Sequence, residues 1–180
     1  ADAMSVLREQ HWLDFDFEAA FLQGAQRKSE QVLARPPVGF REWDERGVEI
    51  LWLMDAPLYG QLDAAAIWNR TLNEWMESES GGQCERNASD PCLYTHETDD
   101  GSILATPCYV DDGRLYYDPT PSGRAAAKRL TERREKRFKV KFSDPDPDDS
   151  YFLGANRIAS GRSACSVRAT SYIEQMVKRY

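Results

Sequence analysis

Three aspartates carry the chemistry this sequence could perform. Asp16 closes a short alternating run, and Asp111 and Asp112 stand side by side in a stretch with turn character. Carboxylates brought together without basic partners repel one another, and a divalent cation placed among them removes that repulsion. Mg2+ suits such a group because it is hard, wants oxygen ligands and keeps positions open for phosphate oxygens. Two ions about 3.5–4 Å apart can activate an attacking hydroxyl and steady a departing pyrophosphate. Asp111-Asp112-Gly113 taken alone reads equally as a solvated turn. A two-metal nuclease would need further carboxylates near Asp16, where Glu18 is a poor candidate.

The elements that must position these residues follow from periodicity. Ser5–Trp12 reads as the end of a helix, and Leu13–Phe17 alternates strictly, a strand with Leu13, Phe15 and Phe17 inward and Asp14 and Asp16 on the other face. Glu18–Leu22 suits a short helical turn ending at Gly24, and Val32–Phe40 is extended around Arg35-Pro36-Pro37. Val48–Leu53 predicts a strand. Gln61–Met76 predicts the best helix, with a buried stripe of Leu62, Ala65, Ala66, Trp68, Leu72, Trp75 and Met76. Cys92–His96 and Ile103–Val110 predict strands around the turn Asp99-Asp100-Gly101, and Asp111-Asp112-Gly113 turns the chain into a strand starting at Leu115. Pro121–Phe138 predicts a helix, Tyr151–Ala159 and Cys165–Thr170 a hairpin, and Tyr172–Tyr180 a last helix. Residues 144–149 read as a solvated linker. Mixed elements with hairpin connections predict an α+β fold with a mainly antiparallel sheet packed on helices.

Composition narrows the classes. The 180 residues suffice for a core, and no apolar run is long enough to span a membrane. Four cysteines without CxxC spacing and two distant histidines give no zinc pattern, so free buried thiols are expected. The net charge of −7 opposes phosphate binding as a bulk property, yet nine basic residues between Arg124 and Lys141 face only Glu132 and Glu135. That stretch is either a solvated helix face or a nucleic-acid track; spacing leaves both open.

Several motifs then occur in one order. Asp16-Phe17-Glu18-Ala19-Ala20-Phe21-Leu22-Gln23-Gly24 resembles the pattern D-x-x-x-A-F-L-x-G, and Tyr109-Val110-Asp111-Asp112 is YVDD. Between them stand Arg35-Pro36-Pro37-Val38-Gly39-Phe40, Leu58-Tyr59-Gly60 with Trp68, and Ser89-Asp90-Pro91-Cys92-Leu93-Tyr94. Arg137-Phe138, Tyr151-Phe152-Leu153-Gly154 and Tyr172-Ile173-Glu174 complete the series. The chain thereby resembles copia-type retrotransposon reverse transcriptases from about Val6 to Tyr180.

The resemblance implies a reverse-transcriptase palm with part of the fingers over 1–180, fingers and thumb incomplete, and RNA-directed DNA polymerase activity. It implies that Asp16 and Asp111 bridge two Mg2+ ions (Mn2+ as a substitute), joined by the Phe17 carbonyl, with Asp112 a weaker or outer ligand. Ala19 and Ala20 would hold the incoming dNTP triphosphate by backbone N–H groups. Phe21 would stack under the sugar and exclude a 2′-hydroxyl, its alternative being a core phenylalanine. Tyr109 and Val110 would lie at the primer terminus, and Tyr151 and Gly154 in the hairpin gripping the primer. Implied partners are an RNA or DNA template with primer, dNTPs and the polyprotein's integrase and ribonuclease H. Implied locations are a cytoplasmic particle or the nucleus, with no membrane. The pattern departs at Asp63, which replaces a nucleotide-contacting glutamine, at Gly113-Arg114 after YVDD, and at Leu53, Met54 and Asp55, which replace basic residues. A fragment of a longer polyprotein with little activity by itself is expected. The alternative is an inactive relic that binds nucleic acid or protein.

Overall fold

The computed structural model describes residues 9–144, 150–153, 155–159 and 165–179. They form a mixed α+β chain in two compact units, one of Ala1–Glu18 with Asn73–Tyr180 and the other Ala19–Leu72. In chain order the strands are β1 (His11–Phe17), β2 (Leu33–Ala34), β3 (Trp52–Leu53), β4 (Glu85–Arg86), β5 (Leu93–Glu97), β6 (Ile103–Tyr109), β7 (Asp112–Tyr117), β8 (Val140–Ser143), β9 (Ser150–Phe152), β10 (Ala155–Ala159) and β11 (Cys165–Arg168). The α-helices are α1 (Ala64–Glu77), α2 (Pro121–Arg137) and α3 (Thr170–Arg179).

The larger unit is organised by a six-stranded antiparallel sheet in the order β4-β5-β6-β7-β1-β8. The alternation read at Leu13–Phe17 holds. Phe15 and Phe17 are buried while Asp16 is exposed, and the strand begins earlier, at His11, so Trp12 is strand and not helix. On the inner face Phe17 meets Phe138 edge-on at 5.4 Å between ring centres, and Trp75 meets Phe138 at 5.3 Å. Leu104, Leu115, Met76 and Leu130 complete this core.

α2 starts where the sequence places a cap. Thr120 accepts a hydrogen bond from the Gly123 amide at 2.9 Å, and Pro121 occupies the first turn, where its missing N–H costs nothing. Gly123, Ala126, Ala127, Leu130 and Arg134 form its buried stripe. The basic stretch is therefore not charged all round, because Arg134 has no exposed surface. Its guanidinium lies 4.1 Å from the Phe15 ring centre, and Nη2 is 3.7 Å from the Met76 sulfur. Its Nε and Nη1 have no hydrogen-bond partner among the described residues. Burial lowers its pKa to about 10. Desolvating an unpaired guanidinium costs several kcal/mol, against about 2 kcal/mol for a desolvated cation–π contact. Arg134→Met is accordingly expected to raise the thermal midpoint, by on the order of 1–3 kcal/mol of stability; a drop in midpoint would contradict this balance.

Several local expectations give way to tertiary context. The ladder pairs Tyr109 with Asp112, so the turn is Val110–Asp111 and Asp112 already belongs to β7. In the smaller unit Val48–Leu53 shrinks to Trp52–Leu53, paired with Leu33–Ala34, plus a lone bridge between Trp43 and Glu49. On α1 the buried residues are Ala64, Ile67, Trp68, Thr71, Leu72 and Met76; Leu62, Ala65 and Ala66 face outward, shifting the stripe by one residue at its start. The smaller unit is tied by Arg70 to Glu30 at 2.5 Å and by the Ala25 amide to Thr71 at 2.8 Å. Tyr151–Ala159 splits into β9 and β10, which pair with each other, and β10 pairs on its other side with β11. Residues 145–149 of the expected linker lie outside the described residues. No helix among the described residues is long and apolar enough to cross a membrane.

Candidate functional site

The register of β1 against β7 brings Asp16 directly opposite Asp112 and Asp14 opposite Arg114. Opposite residues on paired strands project to one face, with Cβ atoms about 5 Å apart. Asp111 sits at the hairpin tip beside them, and its carbonyl accepts the Phe17 amide at 2.9 Å, tying β1 to the turn. Val110 holds φ at 58°, a left-handed backbone that a β-branched residue adopts at a cost of about 1–3 kcal/mol. The three aspartates named from the sequence therefore lie along one hairpin edge, and all three are exposed.

Their neighbours divide them electrically. Arg114, with 1% of its side chain exposed, donates to Asp14 through Nε at 2.5 Å and Nη2 at 3.2 Å, while Phe152 lies over its guanidinium at 4.7 Å. Lys141, cross-strand from Asp16, is bound to Glu18 at 2.6 Å. The Lys141 hydrogen bond and charge hold the Glu18 carboxyl below the usual range, and the ion pair engages its Oε1. The acids on either side of Asp16 along this strand thus have basic partners. Asp16, Asp111 and Asp112 form no ion pair among the described residues.

Burial first, then the charges of Asp111, Asp16 and Asp14, push the Asp112 carboxyl above its ordinary value of 3.8. A raised carboxyl pKa means that the folded state holds its proton longer than the unfolded chain. This group's contribution to stability therefore falls as pH rises from the ordinary value through the raised one. Asp112→Asn is expected to raise the thermal midpoint at neutral pH in metal-free buffer, with the gain vanishing near about pH 3, where the unfolded carboxyl is also protonated. An equal gain at both pH values would show that the repulsion is absent.

Tyr109, Val110, Asp111 and Asp112 also line, with Leu153, an open concavity of about 560 Å3. Tyr151 contributes backbone to β9, and Gly154 lies outside the described residues. Ala19, Ala20, Phe21 and Asp63 belong to the smaller unit. There Ala19 takes a left-handed conformation (φ 50°, ψ 51°), and Ala20 opens a 3-10 helix with its side chain buried. Phe21 is half-buried, its ring 5.2 Å from that of Tyr59, and Asp63 accepts from Gln61 at 2.7 Å.

The donor set suits a hard divalent ion in kind: three oxygen donors on one edge whose mutual repulsion a cation relieves. No three His, Cys, Asp or Glu side chains among the described residues are grouped closely enough to hold a metal. The exposed aspartates would have to rotate inward to share one.

Sequence reasoning missed the Asp14–Arg114 pair, the Glu18–Lys141 pair and strand β8. The first had a legible signal, since Asp14 lies in a mostly apolar strand and Arg114 is the basic residue in the apolar returning run Gly113–Tyr117. The alternation Val140-Lys141-Phe142-Ser143 could have revealed the third.

No family model matches the chain. Over 106 residues, 59% of the chain, it is 31% identical to the putative transposon Ty5-1 protein of Saccharomyces cerevisiae. The chain spans about a third (32%) of that relative's length, a distant, partial relationship to a transposon protein.

Proposed function

We propose that this chain is the palm portion of a copia-type reverse transcriptase, part of an RNA-directed DNA polymerase that adds a dNTP to a primer 3′-hydroxyl. The observation that carries the reading is the pairing of Asp16 with Asp112 beside the Asp111 turn, while the adjacent Asp14 and Glu18 have basic partners. The similarity to a Ty5 transposon protein supports the same class.

In this reading Asp16 and Asp111, with the Phe17 carbonyl, would hold two Mg2+ ions, and Asp112 would support them from the opposite strand. Bound metal supplies charge to the reacting phosphate and lowers the pKa of the attacking hydroxyl. The protein's own part is positional: the β1–β7 ladder fixes the carboxylates, and the Tyr109–Val110 tip lies beside the concavity where a primer end would rest. Ala19, Ala20 and Phe21 would serve the nucleotide, with Asp63 a negative charge where the resembled pattern has an amide.

Primer extension on poly(rA)/oligo(dT) with Mg2+ tests this. Weak incorporation by the chain, abolished by Asp111→Asn, is the expected result. Equal background in both favours the second reading, a catalytically silent relic that binds nucleic acid or protein. Asp63, a negative charge where the resembled pattern has an amide, favours that second reading.

A further inference from the structure

The basic stretch, which the aspartate chemistry does not use, lies mainly on α2. Helical spacing sorts its exposed charges into two flanks beside the buried stripe of Gly123, Ala126, Ala127, Leu130 and Arg134. Arg124, Lys128, Glu132 and Glu135 recur at three- and four-residue steps on one flank, two bases against two acids, with Lys128 and Glu132 3.8 Å apart. Arg129, Arg133, Lys136 and Arg137 recur in the same way on the other, four bases and no acid. A solvated face that mixes both signs describes the first flank only.

The second flank is held in shape. Arg133 donates through Nη1 to the Gly81 carbonyl and to Gln83 Oε1, each at 3.0 Å, and the Arg137 guanidinium lies 4.6 Å from the Phe138 ring centre. Arg129 and Lys136 are exposed and enter no hydrogen bond or ion pair among the described residues. Arg129, Arg133 and Arg137 follow one another at about 6 Å along the helix axis, close to the step between successive phosphates of a nucleic-acid strand. α2 packs on the sheet face that carries Phe15 and Phe17, whereas Asp14 and Asp16 project from the other face. The flank therefore stands apart from the aspartate edge.

We infer that this flank binds the phosphodiester backbone of a nucleic-acid duplex, as a contact surface separate from the aspartates. The planar fork of arginine meets two phosphate oxygens at once, and two guanidiniums fixed beforehand lower the ordering cost of binding. The flank's own side chains include no aromatic ring on which an unpaired base could stack, so recognition is of the backbone and independent of sequence. It lacks the apolar centre of a protein interface and the apolar face with which a helix enters a lipid surface. The inference does not rest on the polymerase reading.

Fluorescence anisotropy of the chain with a labelled, mixed-sequence DNA duplex tests it. Four phosphate contacts predict that log Kobs falls against log salt with a slope of about −3.6. Arg129→Gln, Lys136→Gln and Arg137→Gln together, which spare the bonded Arg133, should reduce the slope to about −1 and weaken binding at least about tenfold in low salt. Arg124→Gln with Lys128→Gln, on the compensated flank, should stay within about threefold of the unaltered chain. All five positions are exposed, so an unchanged far-UV spectrum separates lost binding from lost folding. Asp111→Asn should leave duplex binding in the same range, whatever becomes of primer extension. A slope near zero, equal losses in the two flank variants, or tighter binding to polyglutamate or phosphatidylserine vesicles than to the duplex would overturn the inference.

Discussion

Gly113→Val is expected to unfold the hairpin that carries the aspartates, lowering stability by at least about 3 kcal/mol. A Cβ at Gly113 would stand 1.9 Å from Cζ and 2.1 Å from Cε2 of Phe15, distances no small adjustment can absorb. The ring cannot retreat freely, because Phe15 is 4% exposed and bounded by Arg134, Phe17 and Phe142. Gly113 is thus required by space: the Phe15 ring covers the glycine across the ladder, an arrangement known to rescue glycine in sheets. Chemical denaturation measures the loss. Gly113→Ala combined with Phe15→Leu should be more stable than Gly113→Ala alone, because the shorter side chain vacates the position of Cζ. If the two changes simply add, the clash is not the cause.

Asp14→Ala carries the second large effect. Arg114 is almost wholly buried, and removing its carboxylate leaves an uncompensated charge among Trp12, Tyr116 and Phe152. Breaking a buried pair from one side costs about 3–5 kcal/mol, and the partial exposure of Asp14 (23%) places the expectation at the lower end, about 3 kcal/mol. Arg114→Met in the same background should recover most of the loss, since an apolar side chain of similar length needs no partner. A double-mutant cycle on thermal or urea unfolding reads the coupling directly. Coupling near zero would mean that the pair contributes nothing beyond packing. The pair also bears on the site, because Asp14 is one of the charges that raise the Asp112 carboxyl. Its neutralisation by Arg114 leaves Asp16 and Asp112 as the facing carboxylates that lack a basic partner on this strand pair.

These two cases show why Gly113-Arg114 departs from the resembled pattern of bulky apolar residues after YVDD. Gly113 accommodates an aromatic residue from β1, and Arg114 answers an acid from β1. Each is explained by the strand across the ladder.

The sequence by itself determined what local periodicity and local chemistry dictate. The alternation of Leu13–Phe17 set which side chains enter the core. Thr120-Pro121 set the start of α2, and the hairpin spacing set an antiparallel α+β arrangement around three aspartates. Tertiary structure decided what depends on residues distant in the chain: the register that sets Asp16 against Asp112, the sinking of Arg134 out of a basic run into aromatic rings, and the basic partners given to Asp14 and Glu18. A strand specifies its own two faces through the pleat, whereas a one-residue slip against its neighbour would reverse every cross-strand pairing. That choice belongs to the packed sheet, where Phe15 over Gly113 and Asp14 on Arg114 hold one register.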